Sequence, residues 1–210
     1  SMKLQTTLRT AAAALTLAAA AFPALAVTVY TFDTSDPAAG LGTGPYGTVT
    51  LTQNGSNVDF NVTLAAGFNF VTTGGPHDLF AFNGTGVGIG DITNLSVVGG
   101  GTLAAHVPGA DNPFGVFGIG IDCTSCANGA GDQQADPLTF TVLNATESDF
   151  AVLSTIPPGS FNAFFAADVI TGRFTGAVGA VQAVPEPETY ALMLAGLGVM
   201  GFIARRRRPA

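Results

Sequence analysis

Gly47–Leu64, "GTVTLTQNGSNVDFNVTL", decides the fold. Val58, Phe60, Val62 and Leu64 alternate with Asp59, Asn61 and Thr63, placing apolar side chains on one face and polar ones on the other, as a half-buried antiparallel strand requires. Val49 and Leu51 repeat the pattern upstream. Asn54-Gly55 between the two runs supplies the positive φ angles of a tight hairpin turn. Outward from this hairpin, the same short apolar runs recur at 27–32, 78–83, 94–98, 115–121, 137–144, 161–170 and, more weakly, 172–183, punctuated by Gly, Asn, Asp and Pro. No useful length shows a 3.6-residue period. About nine strands with frequent turn signals predict an all-β domain, a two-sheet antiparallel β-sandwich of jelly-roll or Greek-key type.

In "GVFGIGI" (115–121), Phe117, Ile119 and Ile121 share one face and Gly118 and Gly120 the other, which leaves room for a second layer to approach closely. Phe60, Phe80, Phe82, Phe117, Phe140 and Phe164 are the expected aromatic core, each lying in an alternating apolar run.

Both ends read as addresses. Ser1 before Met2 is a cloning remnant; Lys3 and Arg9, the apolar run 11–21 and the small-x-small site Ala24-Leu25-Ala26 then form a secretory signal peptide over 1–26, implying the Sec translocon as a partner. The expected domain is 27–184. It holds twelve acids and one base, Arg173, a formal charge of −11. Such a field repels nucleic acid, which is excluded as a partner. At the other end, 189–204 is a sixteen-residue uncharged stretch expected to form a membrane-spanning helix, about 24 Å long. Arg205, Arg206, Arg207 and Arg208 would hold its far end in the cytoplasm, giving transient inner-membrane anchoring.

Val184, Pro185, Glu186 and Pro187, followed by that stretch and the four arginines, resemble the PEP-CTERM sorting signal of Gram-negative bacteria that make exopolysaccharide. The resemblance assigns 185–210 to sorting and implies an exosortase that processes the tail and delivers the protein to the cell surface or extracellular matrix. The prolines keep the junction free of helix and open to a protease. An exported structural protein of the surface or biofilm matrix is the expected function, with extracellular polysaccharide as a partner.

Candidate chemistry is sparse. Cys123 and Cys126 are read as a local disulfide, because no βαβ pattern surrounds them as a redox motif would need. His77 and His106 stand 29 residues apart, without the paired spacing of a Cys2His2 zinc site. Catalytic residues and a resident cofactor are not expected. Calcium, held by Asp122, Asp132 and Asp136, stays open as a metal reading of the acidic loops. A glycan-binding module, calcium-dependent in one form, is the first alternative, although Trp is absent and only Tyr30 and Tyr46 lie in the domain. A secreted enzyme, with carboxylates converging in a cleft, is the second.

Overall fold

A computed structural model describes residues 27–75, 77–155, 161–181 and 183–184, together with Gly196, Leu197 and Met200. Its strands are β1 (Val27–Phe32), β2 (Thr34–Ser35), β3 (Gly47–Asn54), β4 (Asn57–Leu64), β5 (Asn69–Phe70), β6 (Phe80–Phe82), β7 (Ile92–Val98), β8 (Leu103–His106), β9 (Gly109–Asp111), β10 (Gly115–Phe117), β11 (Ile119–Cys123), β12 (Ala135–Val142), β13 (Phe165–Thr171), β14 (Phe174–Ala180) and β15 (Ala183–Val184). One sheet runs β15-β1-β3-β4-β12-β7; the other runs β2-β14-β13-β6-β11-β8, with β5 also on β13. Every pairing is antiparallel. The expected all-β, two-sheet arrangement is therefore present, and it is not closed into a barrel.

The β3–β4 hairpin forms as its alternation dictates, with Val49 opposite Val62 and Leu51 opposite Phe60. Its turn is shifted by one residue from the expected pair. Asn54 ends the strand opposite Asn57, and Gly55-Ser56 make the turn, Gly55 at φ 62°. Beside it, the buried Glu147 carboxylate accepts the Thr28 hydroxyl at 2.5 Å and the Gln53 N–H at 2.9 Å, tying β1, β3 and the short 3₁₀ turn Glu147–Phe150 together.

Between the sheets the alternating faces meet in a phenylalanine core. Phe60 stacks on Phe140 with centroids 4.3 Å apart and meets Phe150, Phe82 and Phe165 at its edges. Phe80 and Phe82 complete the group from β6. Five of the expected core phenylalanines are buried; the exception is Phe164, which is half-buried at the core margin while Phe165 fills the interior. Strand β13 begins at Phe165, four residues after the start expected for 161–170, and Phe165 rather than Phe164 enters the interior.

The run 115–121 divides at Gly118. Residues 115–117 leave the sandwich to pair with 109–111, and Ile119 onward joins β6 and β8.

The expected membrane helix is corrected. Among the described residues no helix is long and apolar enough to cross a membrane. Within 189–204 only Gly196, Leu197 and Met200 are described, and these are helical; the rest of that stretch lies outside the described residues. Sixteen residues reach about 24 Å against a hydrocarbon core of about 30 Å, and each interior glycine costs a helix about 1 kcal/mol. Transient inner-membrane anchoring rested on that helix and falls with it. Ala24 and Ala26 of the signal cleavage site, Pro185, Glu186 and Pro187, and Arg205 to Arg208 lie outside the described residues.

Candidate functional site

The second sheet carries an additional layer on its outer face. Outward positions of β6, β11, β13 and β14 are small, among them Ala81, Gly120, Ala166, Ala177 and Gly179, so the β9–β10 ribbon can lie against the sheet. Gly109 sits on the backbone of β11, where a β-carbon would collide with the Ile119 carbonyl. Phe114 and Phe117 pack on Ala81, Ala163, Ala166 and Ala177 as a second small core. That is the close approach the glycine strip in 115–121 foreshadowed.

The other half of this layer is polar. Asp78, just before β6, Asp122 on β11 and His106 at the end of β8 converge beside Gly120. His106 Nε2 lies 3.1 Å from Asp78 Oδ1 and 3.4 Å from Asp122 Oδ2. One ligating atom from each of the three falls within 4.8 Å of the others. The remaining carboxylate oxygens are held by backbone: Asp78 Oδ2 accepts the Ala110 N–H at 2.6 Å, and Asp122 Oδ1 accepts the Leu79 N–H at 3.1 Å. Gly120 is needed here, since a β-carbon would run into Asp78 Oδ2 and stand 2.7 Å from His106 Nε2.

Two further carboxylates lie in the same layer. Asp111, on the ribbon, has Oδ1 3.3 Å from His77 Nδ1. Asp168, on β13, accepts the Thr73 N–H at 3.2 Å and the Thr73 hydroxyl. Both residues are fully buried, and Asp111 Oδ2 and Asp168 Oδ1 have no hydrogen-bond partner among the described residues.

Burial disfavours the charged form of each of these acids. It pushes Asp78 up to about 6, aided by the nearby Asp122 charge and opposed by the Ala110 N–H and His106. Asp111 is raised well above the ordinary carboxylate range, by burial first and then by the charges of Asp168, Asp78 and Asp122. Burial also raises Asp168, against the Thr73 hydrogen bonds. Among the described residues no lysine or arginine relieves the group. Arg173, the single basic residue of 27–184, sits over the Phe174 ring at 5.2 Å. Chemically, the arrangement can hold protons or a cation.

The structure treats the candidate site residues differently. Asp122 joins Asp78 and His106. Asp132 instead accepts the Ala127 N–H and the Gln134 amide, and Asp136 accepts the Leu64 N–H. Cys123 and Cys126 are bonded to each other at the end of β11. Asp78, His106, Asp111, Asp168 and His77 escaped the sequence reading as a group, because no local spacing links them. The available signal was the bare outer face at Gly120.

The C-terminal edge is the second feature. β15 pairs with β1, Val184 opposite Val29, so the sandwich extends to the residue before Pro185. Residues 183–208 match the family model described as the PEP-CTERM protein-sorting motif. The chain carries a PEP-CTERM motif. Its presence is consistent with an exosortase substrate, and the match begins where the last strand does. Comparison of the chain with curated proteins and with solved structures gives no significant match.

Proposed function

We propose that this PEP-CTERM protein is exported and handed by its tail to an exosortase, and then serves without catalysis as a structural component of the cell surface or exopolysaccharide matrix. The observation that carries this reading is the sorting motif abutting a complete β-sandwich. The signal-peptide pattern of 1–26 supports export through the Sec translocon. A non-catalytic role is supported by the full burial of Asp111, on the ribbon, and Asp168, on β13, which keeps both carboxyl groups out of a substrate's reach.

The test is intact mass and fractionation of the native protein from its own host, with and without the exosortase. Loss of the tail and delivery outside the cell only when the enzyme is present is the expected result. An uncut chain in the same fraction from both strains overturns the reading.

One observation favours a glycan-binding role as a second reading. An open groove of about 370 Å³ on the outer face of the first sheet is lined by Thr52, Asp59, Asn61, Asn94, Thr139 and Thr141, side chains that offer donors and acceptors to sugar hydroxyls. On this reading the protein is retained by matrix polysaccharide, and Asn61→Ala with Thr139→Ala releases it. Equal retention of the double variant removes the groove from consideration.

A further inference from the structure

We propose that Asp78, His106 and Asp122 bind one divalent transition-metal cation of the zinc class, which cross-links β8, β11 and the segment leading into β6.

Three observations carry the proposal. The first is geometric. Ligand atoms around a tetrahedral zinc with bonds of about 2.0–2.1 Å stand about 3.3 Å apart. His106 Nε2 lies 3.1 Å and 3.4 Å from the facing oxygens of Asp78 and Asp122.

The second is orientation. Metal-binding side chains are commonly fixed by a hydrogen bond to their other polar atom, which aims the ligand before the metal arrives. Ala110 N–H holds Asp78 Oδ2 and Leu79 N–H holds Asp122 Oδ1, leaving Asp78 Oδ1 and Asp122 Oδ2 turned toward His106. Gly120 keeps the space between them clear.

The third is independent of the triad and concerns charge. Asp111 and Asp168 are fully buried in the adjoining layer, each with one carboxylate oxygen lacking a partner among the described residues. Asp111 is within Coulombic reach of Asp78, Asp122 and Asp168. Four carboxyl groups therefore share one patch where, among the described residues, no lysine or arginine lies, and ionising any of them there calls for a partner or a metal. A cation bound at the triad offsets the mutual repulsion of these groups.

The donor set selects the metal. Imidazole with two carboxylates suits zinc and its neighbours, whereas calcium takes six to eight oxygens. His106 is 41% exposed at its side chain, so the cation can enter from solvent and complete its shell with water. Competing nitrogen or sulfur ligands are few: the chain has two histidines, and its two cysteines are bonded to each other.

The test is calorimetric titration of the untagged, chelator-treated full chain with zinc chloride and separately with calcium chloride, alongside thermal melts. One equivalent of zinc should bind per chain and raise the melting midpoint by several degrees. His106→Gln and Asp122→Asn, both at partly exposed positions, should each weaken zinc at least tenfold while keeping the wild-type circular dichroism spectrum. Asp132→Asn should bind as the parent does. Cobalt(II) in place of zinc should give the visible absorption of a four-coordinate site, lost in His106→Gln. Failure to bind zinc, binding indifferent to His106 and Asp122, or a preference for calcium would overturn the assignment.

Discussion

The ring of Phe114 occupies the space that a β-carbon on residue 179 would need. Gly179 is the outward member of β14 beneath the ribbon, and Phe114 is fully buried there, so the ring has nowhere to retreat. Overpacking of this kind costs about 1–3 kcal/mol. Gly179→Ala is therefore expected to lower the free energy of unfolding by that amount, read as a lower chemical denaturation midpoint. An unchanged midpoint would mean that the ribbon is not seated as described.

Phe60 touches four other phenylalanines across both sheets. Removing its ring leaves a cavity that rigid strands on two sides cannot close. Phe60→Ala is expected to cost about 3–5 kcal/mol, read from the same unfolding curves. A loss below about 1 kcal/mol would argue against a single shared aromatic core.

Acid should stabilise this fold where it destabilises most. Asp78, Asp111 and Asp168 all titrate higher in the folded protein than the ordinary 3.8. Above that value the folded state holds protons that the unfolded chain has already released, so unfolding free energy falls as pH rises. The stabilisation is whole below about 4 and is lost through about 6 for Asp78, and higher for Asp111. The groups facing Asp78 are His106, Asp122 and Asp111, with His77 and Asp168 next in the layer. In chelator-treated protein the melting midpoint should be higher at about pH 4.5, near the lower edge of that window, than at about pH 7.5, above the Asp78 titration. Asp78→Asn should flatten the profile between them; a profile rising with pH in both proteins would refute the account.

The Cys123–Cys126 bond closes a loop with a sequence separation of only three. A loop this short removes little freedom from the unfolded chain, about 2 kcal/mol on the chain-entropy relation. Reduction should therefore lower stability by no more than about that amount and leave the sandwich folded, as judged by far-ultraviolet circular dichroism. Global unfolding on reduction would show that the bond does more than pin the end of β11.

What could be read in the sequence followed from local pattern. Alternation between Val58 and Leu64 fixes a strand whatever surrounds it, and Val27–Phe32 and the stretch around Phe140 are legible for the same reason. Leu103–His106 and Gly109–Asp111 are too short, and too crowded by Gly and Pro, for any period to show. Without β8 there is no way to know that His106 lies opposite Gly120, or that Gly120 lies opposite Ala81 just after Asp78. The cluster is a product of strand order, not of spacing. Phe164 and Phe165 show the finer limit, since a two-residue period cannot choose between adjacent phenylalanines until the register is set by β6 and β14.

Pairing of Val184 with Val29 leaves the tail no leash. Three residues, Pro185 to Pro187, stretch at most about 10 Å, so any group that acts on them must come right up to the rim of the sandwich. On the proposed reading, a processing enzyme would work against the edge of a folded domain of formal charge −11. Recognition of the short motif and clearance for the body beside it would then be a single steric question, and the processed domain would end on a strand that already belongs to its sheet.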